Sequence, residues 1–197
     1  MKIEKEIKFI IKTDRIDEII GTILKANFEE TSVLKIKDTY PDTKDFALLK
    51  SLQGFRKRVI EVISVRNIPS DTPIQEKFVY KKKIGETVYE EKITEAQFTG
   101  KTKSLENHIV IEKNRFIFVK DDVEIVVDII YGVGNLLEIE CSKNSKPQQV
   151  FNSLGMKQDW VERTKLGTTE LWLEKYRAKK KKPTPIIAPD KVAVGKI

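Results

Sequence analysis

A chain of 197 residues, 40% hydrophobic and 34% charged, has the length and composition of one globular domain with a sizeable core. Its formal charge of +7 is mostly terminal: from Arg177 onward seven bases stand against one acid, a surplus of +6, so the preceding 176 residues are near neutral and a broad basic nucleic-acid surface is not indicated. The single cysteine, Cys141, excludes an internal disulfide and a thiolate metal site, and the single histidine, His108, reads as a surface residue at a loop end.

No apolar run follows the first charges as a signal peptide requires, and none reaches the length of a membrane span. A cytoplasmic, reducing location is the expectation. The chain begins with a strand, Ile3 to Ile11. Alternation puts Ile3, Lys5, Ile7, Phe9 and Ile11 on one face and Glu4, Glu6 and Lys8 on the other. Carboxylates two residues apart in a strand lie about 7 Å apart, a spacing that suits one or two divalent cations.

Thr13 to Ala26 follows with the apolar stripe of a helix, Ile16, Ile19, Ile20, Ile23 and Leu24, and Thr13 or Asp14 as cap. Thr31 to Tyr40 is strand-like and ends in a turn signal, Asp38 to Thr43. Phe46 to Leu52 allows one or two helical turns, stopped by Gly54. Phe55 to Val65 is a second patterned strand, with Arg56 and Arg58 together on one face as a fork for phosphate or carboxylate. After a polar loop, Gln75 to Lys82 and Thr87 to Ile93 read as two strands of a hairpin. Thr94 to Gln97 is a capping box, predicting a helix to about Leu105.

The next strands are Ile109 to Val119, Val123 to Ile130 and Leu136 to Cys141. Their polar faces carry Lys113 and Arg115, then Glu124 and Asp128, then Glu138 and Glu140. Ser145 to Leu154 is a helix with Pro147 in its first turn and Gly155 as its stop. Trp160 to Tyr176 fits strand or helix, with Leu171, Trp172 and Leu173 at least partly buried. The Lys- and Pro-rich tail from Arg177 to Ile197 lacks the residues to build a core and is expected to be disordered. A tether to a polyanion such as RNA is the functional reading of that tail.

Some eight strands with charged inner faces predict an α+β fold, an eight-stranded antiparallel β-barrel forming a tunnel with helices packed outside. Residues 1–176 form that domain and residues 177–197 the tail. The inner acids are Glu4, Glu6, Asp128, Glu138 and Glu140; the inner bases are Lys8, Arg56, Arg58, Lys81, Lys113 and Arg115. Desolvated carboxylates repel unless a cation joins them, and oxygen ligands call for magnesium or manganese. A wall of bases calls for a polyanion. Together they suit a linear triphosphate.

In order along the chain, these residues resemble the CYTH, or triphosphate tunnel metalloenzyme, superfamily. Glu4-x-Glu6-x-Lys8 is similar to its ExExK signature. Asp38-x-Tyr40-x-Asp42-Thr43 resembles its D-x-Y-x-D-T segment, Phe55-Arg56-Lys57-Arg58 its LRxR strand and Phe78-Val79-Tyr80-Lys81 its LTYK strand. Lys113-x-Arg115 resembles KxR. Asp128, Ile130, Val133-Gly134, Leu136 and Glu138-Ile139-Glu140 resemble the D-x-V-x-x-LG-x-F-x-EIE run. Two stretches depart. Val88 to Lys92 leaves open whether Glu90 or Glu91 faces inward, and Thr168 to Leu171 has Thr169 where the family has Tyr.

The resemblance implies metal ligation by Glu4, Glu6, Asp128, Glu138 and Glu140, and a phosphate grip by Lys8, Arg56, Arg58, Lys81, Lys113 and Arg115. Glu4, Glu6 and Lys8 are the expected catalytic set. It implies hydrolysis of inorganic triphosphate or of a nucleoside, thiamine or RNA 5′ triphosphate by a monomer or homodimer, without membrane contact. A class IV-type adenylyl cyclase making cyclic AMP and pyrophosphate is the alternative, and a polyphosphate- or nucleotide-binding module without turnover is a third.

Overall fold

A computed structural model of the protein describes residues 5–66, 68–84, 87–142 and 145–181. Ten strands form one sheet in which every pairing is antiparallel. In chain order they are β1 (Lys5–Ile11), β2 (Glu29–Asp42), β3 (Gln53–Val65), β4 (Ile68–Pro69), β5 (Gln75–Ile84), β6 (Thr87–Lys92), β7 (Asn107–Lys120), β8 (Val123–Ile130), β9 (Gly134–Cys141) and β10 (Val161–Thr164). Across the sheet the order is β10, β1, β9, β8, β7, β2, β3, β5, β6, with β4 paired to β3. Five α-helices are interspersed: α1 (Ile16–Lys25), α2 (Ala47–Lys50), α3 (Glu95–Thr102), α4 (Pro147–Ser153) and α5 (Thr168–Lys181).

The outer face of β1, β9, β8 and β7 is apolar because their alternation makes it so. Phe9, Ile11, Leu137, Ile139, Ile125, Val127 and Phe118 form its core. Helix α1 lays Ile19 and Ile23 onto that face, and both are fully buried. Its Ile stripe needs just such a partner, and β1 is the nearest in sequence. Helix α4 adds Val150 and Phe151, whose ring stacks on Phe9 with centroids 4.2 Å apart. A second core gathers Leu49, Ile109, Ile111, Ile130, Val133, Leu136 and Leu173 at the other end of the sheet, where α2 and α5 meet it.

Several sequence expectations are corrected here. The closed eight-stranded barrel is instead an open ten-stranded sheet: among the described residues no pairing joins β10 to β6. The segment predicted as a turn at Asp38 to Thr43 is instead the extended end of strand β2, which runs to Asp42. Pro41 is tolerated there because the β2–β3 ladder ends at Thr39, leaving Pro41 opposite His108 of β7 alone. No side chain caps α1, which enters through a 3-10 turn over Thr13–Arg15. The ambiguous segment holds both answers, with β10 before Gly167 and α5 after it. Helix α5 continues past Arg177 to Lys181; the remainder of the predicted tail lies outside the described residues. The capping box at Thr94 forms as expected, with Gln97 N–H donating to Thr94 Oγ1 and Thr94 N–H to Gln97 Oε1.

Candidate functional site

The sheet curves around one cavity of about 380 Å³ lined by charged side chains from eight strands. Register explains which residues reach it. In antiparallel pairs, directly opposed residues share a face. Glu6 of β1 lies opposite Glu140 of β9, and Glu140 lies opposite Glu124 of β8. Three carboxylates therefore stand in one row across three adjacent strands, an arrangement that like-charge repulsion disfavours unless cations join it. In the next row Lys8 lies opposite Glu138. Lys8 Nζ donates to Glu6 Oε1 at 2.6 Å and sits 3.8 Å from Glu138 Oε1.

The basic arc follows on β7, β3 and β5. Arg115 donates from Nε and Nη2 to the two oxygens of Asp128, both at 2.7 Å, and Lys113 Nζ donates to Asp128 Oδ2 at 2.6 Å. Asp128 is 0% exposed and does not line the cavity, so its oxygens are already occupied by these donors. Burial by itself would raise the Asp128 carboxyl, but Arg115 and Lys113 outweigh it and hold it well below the usual carboxylate range. Burial also pushes the Lys113 ammonium down to about 8, against the opposing pull of Asp128.

Arg58 repeats the design on β3. Its Nε and Nη2 donate to Asp38 Oδ1 and Oδ2, each at 2.6 Å. Asp38 is buried, and Arg58 keeps it ionised against its desolvation. Tyr40, two residues on, is pushed up to about 12 by burial, and its hydroxyl donates to Asp38 at 3.4 Å. Arg56 and Lys81 complete the arc, both turned to Glu90 of β6. The register settles the open question on that strand: Glu90 lies opposite Lys81 and lines the cavity, whereas Glu91 lies opposite Tyr80 and is not part of the lining.

Helix α5 is tied to strand β5 through side chains. Lys83 of β5 donates to the carbonyl oxygen of Lys165 at 2.9 Å and to Glu170 at 2.9 and 3.0 Å. Glu170 also accepts the Gly167 N–H at 2.7 Å, at the start of the helix. Thr168, Thr169 and Glu170 thereby become part of the cavity lining. Trp172 and Tyr176 hold the helix against Phe46, with Phe46–Trp172 centroids 5.8 Å apart and Phe46–Tyr176 5.3 Å. Asp42 fixes α2 beneath this cluster by accepting the backbone N–H groups of Thr43, Leu48 and Leu49 at 2.7 to 3.0 Å.

Of the residues singled out from sequence, Glu6, Lys8, Arg56, Arg58, Lys81, Lys113, Arg115, Glu138 and Glu140 meet at this cavity. Asp128 stands behind it, and Glu4 lies outside the described residues. Glu124 and Asp38 were missed as site residues. Both were legible as polar positions on patterned strands, and Asp38 stood inside a quoted motif. The acidic row supplies carboxylate oxygens suited to a hard divalent cation. Among the described residues, however, no three His, Cys, Asp or Glu side chains are gathered into a ready-made cluster. Glu6 is drawn to Lys8, and Glu138 lies near Lys8 and Arg115.

Comparison with known proteins agrees with this architecture. The family model of the CYTH domain matches residues 2–170. The PH1819 protein of Pyrococcus horikoshii OT3 superposes with a TM-score of 0.64 at 19% identity, over 87% of this chain and 99% of its own. An adenylate cyclase candidate from Vibrio parahaemolyticus gives a TM-score of 0.62 at 16% identity, over 87% and 98%. A Hippeastrum adenylyl cyclase candidate described as having a dominant triphosphatase activity gives 0.53 at 15% identity, over 92% and 98%. Comparison with curated proteins finds no match.

Proposed function

The chain belongs to the CYTH domain family, and from that premise we propose that it is a divalent-metal-dependent triphosphatase acting inside this cavity. One observation carries the reading: a single cavity opposes a row of carboxylates to an arc of five cations, Arg56, Arg58, Lys81, Lys113 and Arg115. A linear triphosphate needs both. Its several negative charges match the arc, and a metal-bridged end matches the row. Under the same proposal the curved sheet and α5 together enclose a tunnel, the Lys83–Glu170 bridge standing where the barrel would close.

Glu6, Glu124, Glu138 and Glu140, with Glu4, are the residues that would hold magnesium or manganese. The metal, when bound, would neutralise phosphate oxygens and lower the pKa of a bound water. The protein's own contribution is positioning. Asp38 and Asp128 lock Arg58, Lys113 and Arg115 before substrate arrives, so these groups meet the developing charge with little reorganisation. Asp128 serves in this reading as an anchor for the cations.

Cyclisation of ATP is the second reading, favoured by one feature. The cavity also carries Tyr40, Pro41, Leu49, Leu52 and Ile109, an apolar stretch on which an organic group can rest. The structural relatives include proteins described on both sides of this choice. Product analysis separates them. The protein is incubated with ATP and with inorganic triphosphate, in magnesium and in manganese, and the products are resolved by chromatography. Orthophosphate is expected from inorganic triphosphate. Cyclic AMP with pyrophosphate from ATP would replace this reading with the cyclase, and binding without product would replace it with a binding module.

A further inference from the structure

Three arginines line the cavity, and two of them have dedicated buried carboxylates. Arg58 and Arg115 each grip an aspartate by two bonds, at 2.6 Å and at 2.7 Å respectively. Arg56 has no such partner. It is 7% exposed, its Nε is buried without a hydrogen-bond partner, and Asp38 Oδ1 is 4.0 Å from that atom. Its Nη2 reaches both Glu90 oxygens, but at 3.4 Å, the far limit of a hydrogen bond. A buried guanidinium whose Nε is left without an acceptor is costly and marks a place for an anion.

Glu90 occupies that place incompletely. Its carboxylate sits 2.6 Å from Lys81 Nζ. It belongs to β6, at the sheet edge, and its side chain is 39% exposed, against 2% for Asp38 and 0% for Asp128. A carboxylate so exposed can turn to water at small cost, where a buried one cannot. There is also room beside it. Gly54 lies opposite Lys81 on the cavity side, and a Cβ placed there meets nothing within 4 Å.

Resting on the phosphate-binding reading above, we propose that Arg56 and Lys81 form an anion subsite whose resident occupant is Glu90. Any phosphate chain that uses this subsite must displace the Glu90 carboxylate, so Glu90 sets affinity for substrate by competition. Phosphate is the better ligand of the two: it presents more acceptor oxygens and more charge than a carboxylate. It can fill the Arg56 Nε that Glu90 leaves without a partner.

The test is calorimetric titration of inorganic triphosphate into the whole protein with metal removed by chelator. Glu90→Gln removes the charge and keeps the shape; Glu90→Asp keeps the charge and withdraws it from Lys81. Both variants are expected to bind triphosphate about five- to tenfold more tightly, the equivalent of one half-exposed ion pair. The gain should vanish in a Lys81→Met background. Unchanged or weaker binding in Glu90→Gln would overturn the proposal. So would tightening in Glu90→Gln with wild-type affinity in Glu90→Asp, since that is charge acting at a distance. If the wild-type protein takes up no triphosphate either in chelator or with calcium present, the phosphate reading fails and carries this inference down with it.

Discussion

Asp38 and Asp128 show how much one buried carboxylate organises. Each is almost wholly excluded from water and each would be costly alone, yet the cations around them make the charged form the stable one. Removing one partner is then worse than never having had the pair. Asp128→Asn leaves Lys113 and Arg115 facing a neutral amide, and should lower stability by roughly 3–5 kcal/mol near neutral pH. The pH dependence has a definite sign. Both carboxyls titrate lower in the folded protein than in the unfolded chain. In acid the unfolded chain therefore binds more protons. Their stabilisation is complete above an unfolded carboxyl pKa of about 4 and is lost as pH falls below it. Urea unfolding from pH 3 to pH 7 should show this acid loss in the wild type and a shallower one in Asp128→Asn. Equal slopes would mean that Asp128 is not the linked group. For ligand, the arginine without a buried carboxylate of its own is Arg56: Arg56→Ala should raise the triphosphate Kd at least tenfold, about 1.4 kcal/mol, in the same titration. An unchanged Kd would remove Arg56 from the phosphate grip.

At the scale of elements, alternation made the faces of β3, β7, β8 and β9 readable, since period-two patterning fixes which residues share a side. Arg56 with Arg58, Lys113 with Arg115, and Glu138 with Glu140 all lie on the cavity side as the pattern requires. Alternation says nothing about who faces whom across the sheet. That is why the place of Glu124 in the carboxylate row, and of Asp38 and Asp128 behind their arginines, became visible only through register. It also explains the misread turn: Asp, Pro and Thr signal a turn in isolation, but a ladder to β7 holds Asp38 to Asp42 extended. The tie between β5 and α5 was the least legible feature. It includes one lysine, Lys83, 82 residues from the carbonyl oxygen it meets. Lys83→Met should therefore loosen α5 selectively. Amide exchange in the first turn of α5 should quicken, while the urea midpoint moves by no more than about 1 kcal/mol. Unchanged exchange would mean that Phe46, Trp172 and Leu173 hold the helix unaided.

For the whole molecule, the notable quantity is where charge sits. A near-neutral body keeps a dense field of opposite charges inside one cavity, and that field is most stable when both halves find their counterions. Glu6, Glu140 and Glu124 stand in one row only when the chain is folded, so a cation binding the row acts as a ligand of the folded state. Manganese or magnesium at 100 times its Kd should then add about 2.7 kcal/mol of stability and raise the melting temperature without any substrate present. Glu138→Gln removes one carboxylate of the acidic half without touching the apolar cores. It should melt close to the wild-type temperature in chelator and lose most of the metal-dependent rise. Calcium and zinc serve as controls for the size and softness of the ion. A metal-induced rise that survives both Glu138→Gln and Glu6→Gln would place the ion elsewhere, and the acidic row would then answer only to the lysine and arginine beside it.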